Sequence, residues 1–290
     1  MSNFMVGLER KVIVANNLNI NVWVGGKGPS LLLLHGYPQT SQMWRKVAPK
    51  LLNEFSVVCP DLRGYGDTEK PHSGYDKRTM AKDMAELMLN LGHKQYAVVG
   101  HDRGARVAHR LALDWPDYVK KLVVIDVVPT HTVFKHTNQV LATTYWHWFF
   151  FQALDLPETM ISQSPEPFLR YILRSWSVSA DFIEEEMFRE YLRAFTLPGT
   201  IRATLEDYRA AAGIDLEHDE ADFDKKIRCP VLVLWSQANK TMGLFDVVKS
   251  WQEKAEKVSG ESMNSGHFIP EEVPEELLNH LRSFLVNVEN

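Results

Sequence analysis

Gly100-His101-Asp102-Arg103-Gly104 follows the apolar run Tyr96-Ala97-Val98-Val99 and precedes Ala105-Arg106-Val107-Ala108, so a buried strand must hand over to a helix within one short turn. Small residues on either side of a central side chain permit a strained backbone there, and the strain projects that side chain off the sheet. The projecting group is a carboxylate. A serine would imply acyl transfer, whereas a carboxylate attacks an electrophilic carbon and leaves an alkyl ester on the enzyme, which puts haloalkyl and epoxide substrates ahead of ordinary esters. Taken alone, the pentapeptide also reads as a glycine-flanked turn with a surface aspartate favoured by the dipole of the following helix.

This strand, turn and helix resemble the nucleophile elbow of the α/β-hydrolases. Leu31-Leu32-Leu33-Leu34 suits a strand buried on both faces, and His35-Gly36-Tyr37-Pro38 follows it. In the hydrolase pattern this loop supplies the backbone N–H of Tyr37, to pair with that of Arg103 as an oxyanion hole. Late in the chain, Ser265-Gly266-His267-Phe268 lies in a loop before Pro270 and a Glu-rich helical stretch, the place for a catalytic histidine. Such a histidine needs an acid to fix its tautomer. The usual position follows the seventh strand, Val231-Leu232-Val233-Leu234-Trp235, but Ser236-Gln237-Ala238-Asn239 holds no carboxylate and the first one is Asp246. The strand Leu122-Val123-Val124-Ile125 ends in Asp126, which a parallel sheet brings to the same edge as Asp102. Asp126 is the expected orienting acid, with Asp246 as the alternative.

After a hairpin from Lys11 to Val24, strands at Leu31, Val57, Ala97, Val123 and Val231 alternate with helical stretches at Ser41 to Leu52, Thr79 to Leu91 and Arg103 to Leu113. This alternation predicts an α/β fold with a mostly parallel, doubly wound sheet. From about Pro129 the strand signal stops, and helical periodicity broken at Pro157, Pro165 and Pro198 runs to about Lys225. The expected layout is a core over 1–128, a helical cap over 129–225 lying above the elbow, and the rest of the core over 226–290, with helices at Asp246 to Lys257 and Pro274 to Val286. A chain of 290 residues that is 45% hydrophobic can bury one large core.

A net charge of −5 with scattered basic residues leaves no footprint for nucleic acid or an anionic membrane. No signal-peptide-like or membrane-spanning run is present, so the expected location is cytoplasmic. Cys59 and Cys229 adjoin strand-like runs and read as buried reduced thiols. No metal-ligand spacing or phosphate loop occurs, so neither metal nor cofactor is expected.

Arg103 and Arg106 share one face of the helix that leaves the elbow. Two guanidinium groups beside a buried carboxylate can keep Asp102 ionised and can hold an anionic substrate by bidentate hydrogen bonds worth roughly 1.5 to 3 kcal/mol each. Surface salt bridging, the other reading, contributes about 0 to 1 kcal/mol and calls for no arginine inside the turn. Arg110 is expected to reach solvent.

With His35-Gly36-Tyr37-Pro38-Gln39, Asp61-Leu62-Arg63-Gly64-Tyr65-Gly66-Asp67, the elbow and its two arginines, Tyr145-Trp146-His147-Trp148-Phe149 and Asp207-Tyr208-Arg209-Ala210-Ala211-Ala212, nearly the whole chain resembles the haloacetate dehalogenases, closest to the fluoroacetate dehalogenases. The resemblance implies Asp102 as nucleophile, His267 as base and Asp126 as its acid. It further implies Arg103 and Arg106 as clamps on a substrate carboxylate and His147, Trp148 and Tyr208 as a halide cradle. The activity implied is hydrolysis of fluoroacetate or chloroacetate to glycolate and halide through an aspartyl ester, in a homodimer whose partner is the small haloacid alone. One departure stands in the oxyanion loop, where the family often has Phe and this chain has Tyr37. The cradle has its own logic: fluoride is compact and heavily hydrated, so donors already aimed at it must replace its water. The aromatic stretch Tyr145 to Phe151 also reads as plain cap core.

Two other functions use the same residues. An epoxide hydrolase shares the aspartate elbow but usually carries an aromatic residue where Arg103 stands, with paired cap tyrosines. A ligand-binding protein on a hydrolase scaffold would have no need of Asp102, His267 and Asp126 together.

Overall fold

The computed structural model describes residues 4–179 and 181–286. Its strands are β1 (Glu9–Ala15), β2 (Leu18–Gly25), β3 (Ser30–Leu34), β4 (Ser56–Pro60), β5 (Tyr96–His101), β6 (Val119–Ile125), β7 (Val231–Ser236) and β8 (Val258–Met263). They form one sheet in the order β1-β2-β4-β3-β5-β6-β7-β8. The pairings of β1 with β2 and β2 with β4 are antiparallel, and all those from β4 to β8 are parallel.

The parallel strands are continuous apolar runs because both faces are covered. Leu32, Leu34, Val58, Val98, Val124 and Val233 enter one core, while Leu31, Leu33, Val57, Val99, Val123, Ile125 and Leu234 enter the other. Strand β3 has β4 on one side and β5 on the other, so the loops leaving β3 and β5 diverge and open a crevice at the carboxyl edge. The register pairs Leu34 with Gly100 and His101 with Ile125. Asp102 and Asp126 therefore leave neighbouring strands at the same level.

Between β6 and β7 the described residues hold a succession of helices from Thr130–Lys135 to Ile214–Ala221 and no strand, forming the inserted cap. Local rules account for it: Asn138 caps one helix through the Leu141 N–H, prolines open the helices Leu156–Gln163 and Pro165–Trp176, and Met187, Phe188, Tyr191, Ala194 and Phe195 bury one face of another.

Several local expectations are corrected. Ser41 to Leu52 forms two 3₁₀ segments, Ser41–Lys46 and Ala48–Leu51, because Pro49 cannot continue a helix begun at Ser41. The helix after Asp246 ends at Gln252, since Ala255 already bridges Ile227 on the way into β8. Arg110 is buried, paired with Asp114 and with Asp222 just past the last cap helix. Cys59 is buried and Cys229 half-buried, and neither forms a disulfide. Among the described residues no helix is long and apolar enough to cross a membrane.

Candidate active site

Asp102 sits between β5 and the helix Arg103–Asp114 with φ 48° and ψ −116°, a region that a residue with a Cβ adopts only under constraint. The constraint is close packing. A Cβ at Gly100 would lie 2.6 Å from the Ala105 Cα, and one at Gly104 would lie 2.3 Å from the His35 carbonyl oxygen. Only glycine lets the strand, the helix and the β3 loop approach so closely. The Tyr37 N–H donates to Asp102 Oδ1 at 2.9 Å. The Arg103 N–H, the other expected donor, occupies the first helical position, where no intrahelical acceptor exists.

The loop after β8 puts His267 Nδ1 2.5 Å from Asp126 Oδ2 and Nε2 3.9 Å from Asp102 Oδ2. Asp126 is wholly buried, and its two oxygens also accept the Ser236 N–H and the Asn239 Nδ2, both at 2.8 Å. The alternative acid, Asp246, instead caps its helix through the Lys249 N–H. Asn239 accounts for the missing carboxylate after β7: an amide there donates to Asp126, where a second carboxylate would repel it. The His267 loop is held on both sides, its N–H donating to the Trp176 carbonyl at 2.7 Å and its own carbonyl facing His101 Nε2 at 2.7 Å.

Burial alone would raise the pKa of Asp102, but the imidazoles of His267 and His101 and the guanidiniums of Arg103 and Arg106 outweigh it and hold the carboxyl below 3.8. His267 moves the other way. Burial pushes its pKa down, yet the Asp126 hydrogen bond and charge, then the charge of Asp102, bring it above 6.5. Burial lowers His147 to about 3, so it is a neutral imidazole with one N–H to give.

Asp102 and His267 face a cavity of about 250 Å³ also lined by Tyr145, His147, Trp148 and Trp176. Arg103, Arg106 and Tyr208 form the layer behind it: the Tyr208 ring lies 5.6 Å from His147 and 6.0 Å from Trp148, and the Arg106 guanidinium lies 4.7 Å over Trp148. Arg103 presents no open fork. Arg103 gives Nε and Nη2 to the Asp207 carboxylate at 3.1 and 2.6 Å, and Nη2 also reaches the Asp207 carbonyl. Arg106 gives Nη1 to the Val128 carbonyl and the Thr130 hydroxyl. Among the described residues Arg103 keeps only Nη1 without a partner, whereas Arg106 keeps both Nε and Nη2, so the expected bidentate grip stays open at Arg106 and is reduced to one nitrogen at Arg103. His147 Nδ1, the Tyr208 hydroxyl and His267 Nε2 are likewise buried without a partner.

Sequence reasoning gave no role to Asp207, which also binds Lys77 and the Tyr65 hydroxyl, nor to Asn239. For Asp207 the one signal was its place beside Tyr208. The partners lie more than a hundred residues away.

Together, the sheet order, the elbow and the histidine–carboxylate pair define a hydrolase. The alpha/beta hydrolase fold family matches residues 29–274, and the chain belongs to it. Among characterised relatives, it is 41% identical to a fluoroacetate dehalogenase from Burkholderia sp over 96% of this chain and 94% of that one. It is 37% identical to a soluble epoxide hydrolase from Corynebacterium sp. (strain C12) over 90% of this chain and 91% of that one. A crystal structure from Nostoc sp PCC 7120, provisionally described as an alpha/beta hydrolase, superposes with a TM-score of 0.96 at 50% identity, covering 98% of this chain and all of that one.

Proposed function

We propose that this hydrolase cleaves the carbon–halogen bond of a small 2-haloacid, fluoroacetate or chloroacetate, with the core spanning 1–128 and 226–290 and the cap 129–225. The observation that carries the reading is an elbow carboxylate held in its ionised form close to two buried guanidiniums, with one nitrogen of Arg103 and two of Arg106 unpartnered. Those nitrogens, Arg103 Nη1 with Arg106 Nε and Nη2, take the substrate carboxylate. Asp102 Oδ2 then attacks the α-carbon as the halogen departs with the bonding pair, its charge received by His147, Trp148 and Tyr208, and a glycolyl ester remains on Asp102. In the second step His267 Nε2 takes a proton from water, whose oxygen attacks the Asp102 carboxyl carbon. Charge on Oδ1 is met by the Tyr37 and Arg103 N–H groups, and the imidazolium, steadied by Asp126, returns the proton to the departing glycolate oxygen. The net products are glycolate, halide and one proton.

A single turnover in oxygen-18 water tests the ester. The label should enter Asp102 and be absent from the first glycolate formed, and label in that glycolate would exclude the covalent step. Epoxide hydrolysis is the second reading, favoured by the 37% identical relative and the unpartnered Tyr208 hydroxyl. It leaves the free nitrogens of the two arginines with no substrate anion to hold. Halide release from haloacetates, set against consumption of styrene oxide, separates the two.

The charges also set a pH dependence. Asp102 is one of the anions that hold the His267 pKa above 6.5, and esterification removes it. His267 should therefore lose its proton at lower pH in the ester than in the free protein, as a base for the second step requires. The acid limb of the ester-hydrolysis rate should fall at lower pH than the His267 titration followed by NMR without substrate. A limb at or above that titration would contradict the assignment.

A further inference from the structure

The Tyr37 side chain has no part in the chemistry described so far. Its backbone holds Asp102 Oδ1, but its ring turns toward the cap, edge-on to Tyr208 at 5.3 Å and to Phe151 at 5.9 Å, and tilted against Trp176 at 6.2 Å. The residue is fully buried, and its hydroxyl has no protein partner. A buried hydroxyl without an acceptor is penalised, and a phenylalanine would fill the same space without that loss. Packed against Tyr208, whose hydroxyl is also unpartnered, the Tyr37 hydroxyl is free to take an acceptor that a ligand brings in. Burial and the Asp102 charge keep both Tyr37 and Tyr208 protonated, so each is a donor.

On the dehalogenase reading the substrate offers two acceptors, its carboxylate and its halogen. The carboxylate has the arginines. From the contact between the two tyrosine rings we infer that the Tyr37 hydroxyl is a further hydrogen-bond donor to the departing halide and biases the site toward fluoride. As Asp102 Oδ2 bonds to the α-carbon, the carbon–halogen pair leaves with the halogen as an anion. Tyr37 keeps its proton and gives only the hydrogen bond. Fluoride is the strongest acceptor of the halides, and an added donor favours it over bromide.

The test is Tyr37→Phe, assayed for the first-turnover release of fluoride from fluoroacetate and bromide from bromoacetate. The fluoride-to-bromide rate ratio should drop roughly tenfold or more, as for loss of one preorganised donor to developing charge. The melting temperature should stay level or rise, because an unpartnered hydroxyl has been removed. An unchanged ratio, with the unsubstituted protein releasing both halides, would overturn the role of Tyr37 and leave the dehalogenase reading standing. Release of neither halide by the unsubstituted protein would overturn that reading itself.

Discussion

His267→Asn should turn the protein into a single-turnover reagent, releasing one halide per site from chloroacetate and then stopping with a carboxymethyl group fixed on Asp102. The first displacement needs only an ionised, aimed carboxylate. Arg103 and Arg106 still favour that ionised form once His267 is gone. The second needs a base, and removing a positioned general base slows such a step by roughly 10² to 10⁴. Asparagine keeps an amide donor for Asp126, which would otherwise lose one of its partners in the interior. Rapid-quench halide measurement and mass spectrometry of the peptide holding Asp102 would show the burst and the adduct. Steady turnover by the variant would remove His267 from the mechanism.

Asp207→Ala should give the largest loss of stability of any single exchange in the cap. Asp207 and Arg103 are both fully excluded from solvent, and the Asp207 carboxylate also carries Lys77 and the Tyr65 hydroxyl. Breaking a buried pair from one side leaves an uncompensated charge, at a cost of roughly 3 to 5 kcal/mol. Here two cations lose their shared partner, although Asp215 remains 3.3 Å from Lys77. Denaturant unfolding would read the loss directly, and a change under about 1 kcal/mol, the scale of an exposed pair, would mean that the cluster is not closed. The same contact ties the cap helix Thr200–Ala211 to the elbow, so the Arg103 fork should be released in this variant and haloacid binding should weaken along with stability.

Much of the proposed catalytic line could be read along the chain. Asp102 and Tyr37 each sit beside a strand end marked by an apolar run and a glycine, while His267 was marked by its glycine and late loop alone, the polar strand β8 before it having no apolar signal. Asp126 could be reached from topology, since a parallel sheet aligns the ends of neighbouring strands. The arginines show where that reasoning stops. Helical spacing put Arg103 and Arg106 on one face, but how many N–H groups each has left depends on Asp207, Val128 and Thr130, which arrive from the loop after β6 and from the cap. Arg110 failed for the same reason: Asp222, more than a hundred residues downstream, covers it.

The chain alone therefore determined the layer architecture, the place of the helical insertion and the identity of the residues at the carboxyl edge, because hydrophobic periodicity and turn chemistry act over a few residues. Only the tertiary structure decided which donors remain unpartnered, which charges neutralise one another and that the Tyr37 ring packs against the cap. Those outcomes depend on burial and distance between segments remote in the chain, and a buried hydrogen bond or charge has its effect through what surrounds it in space.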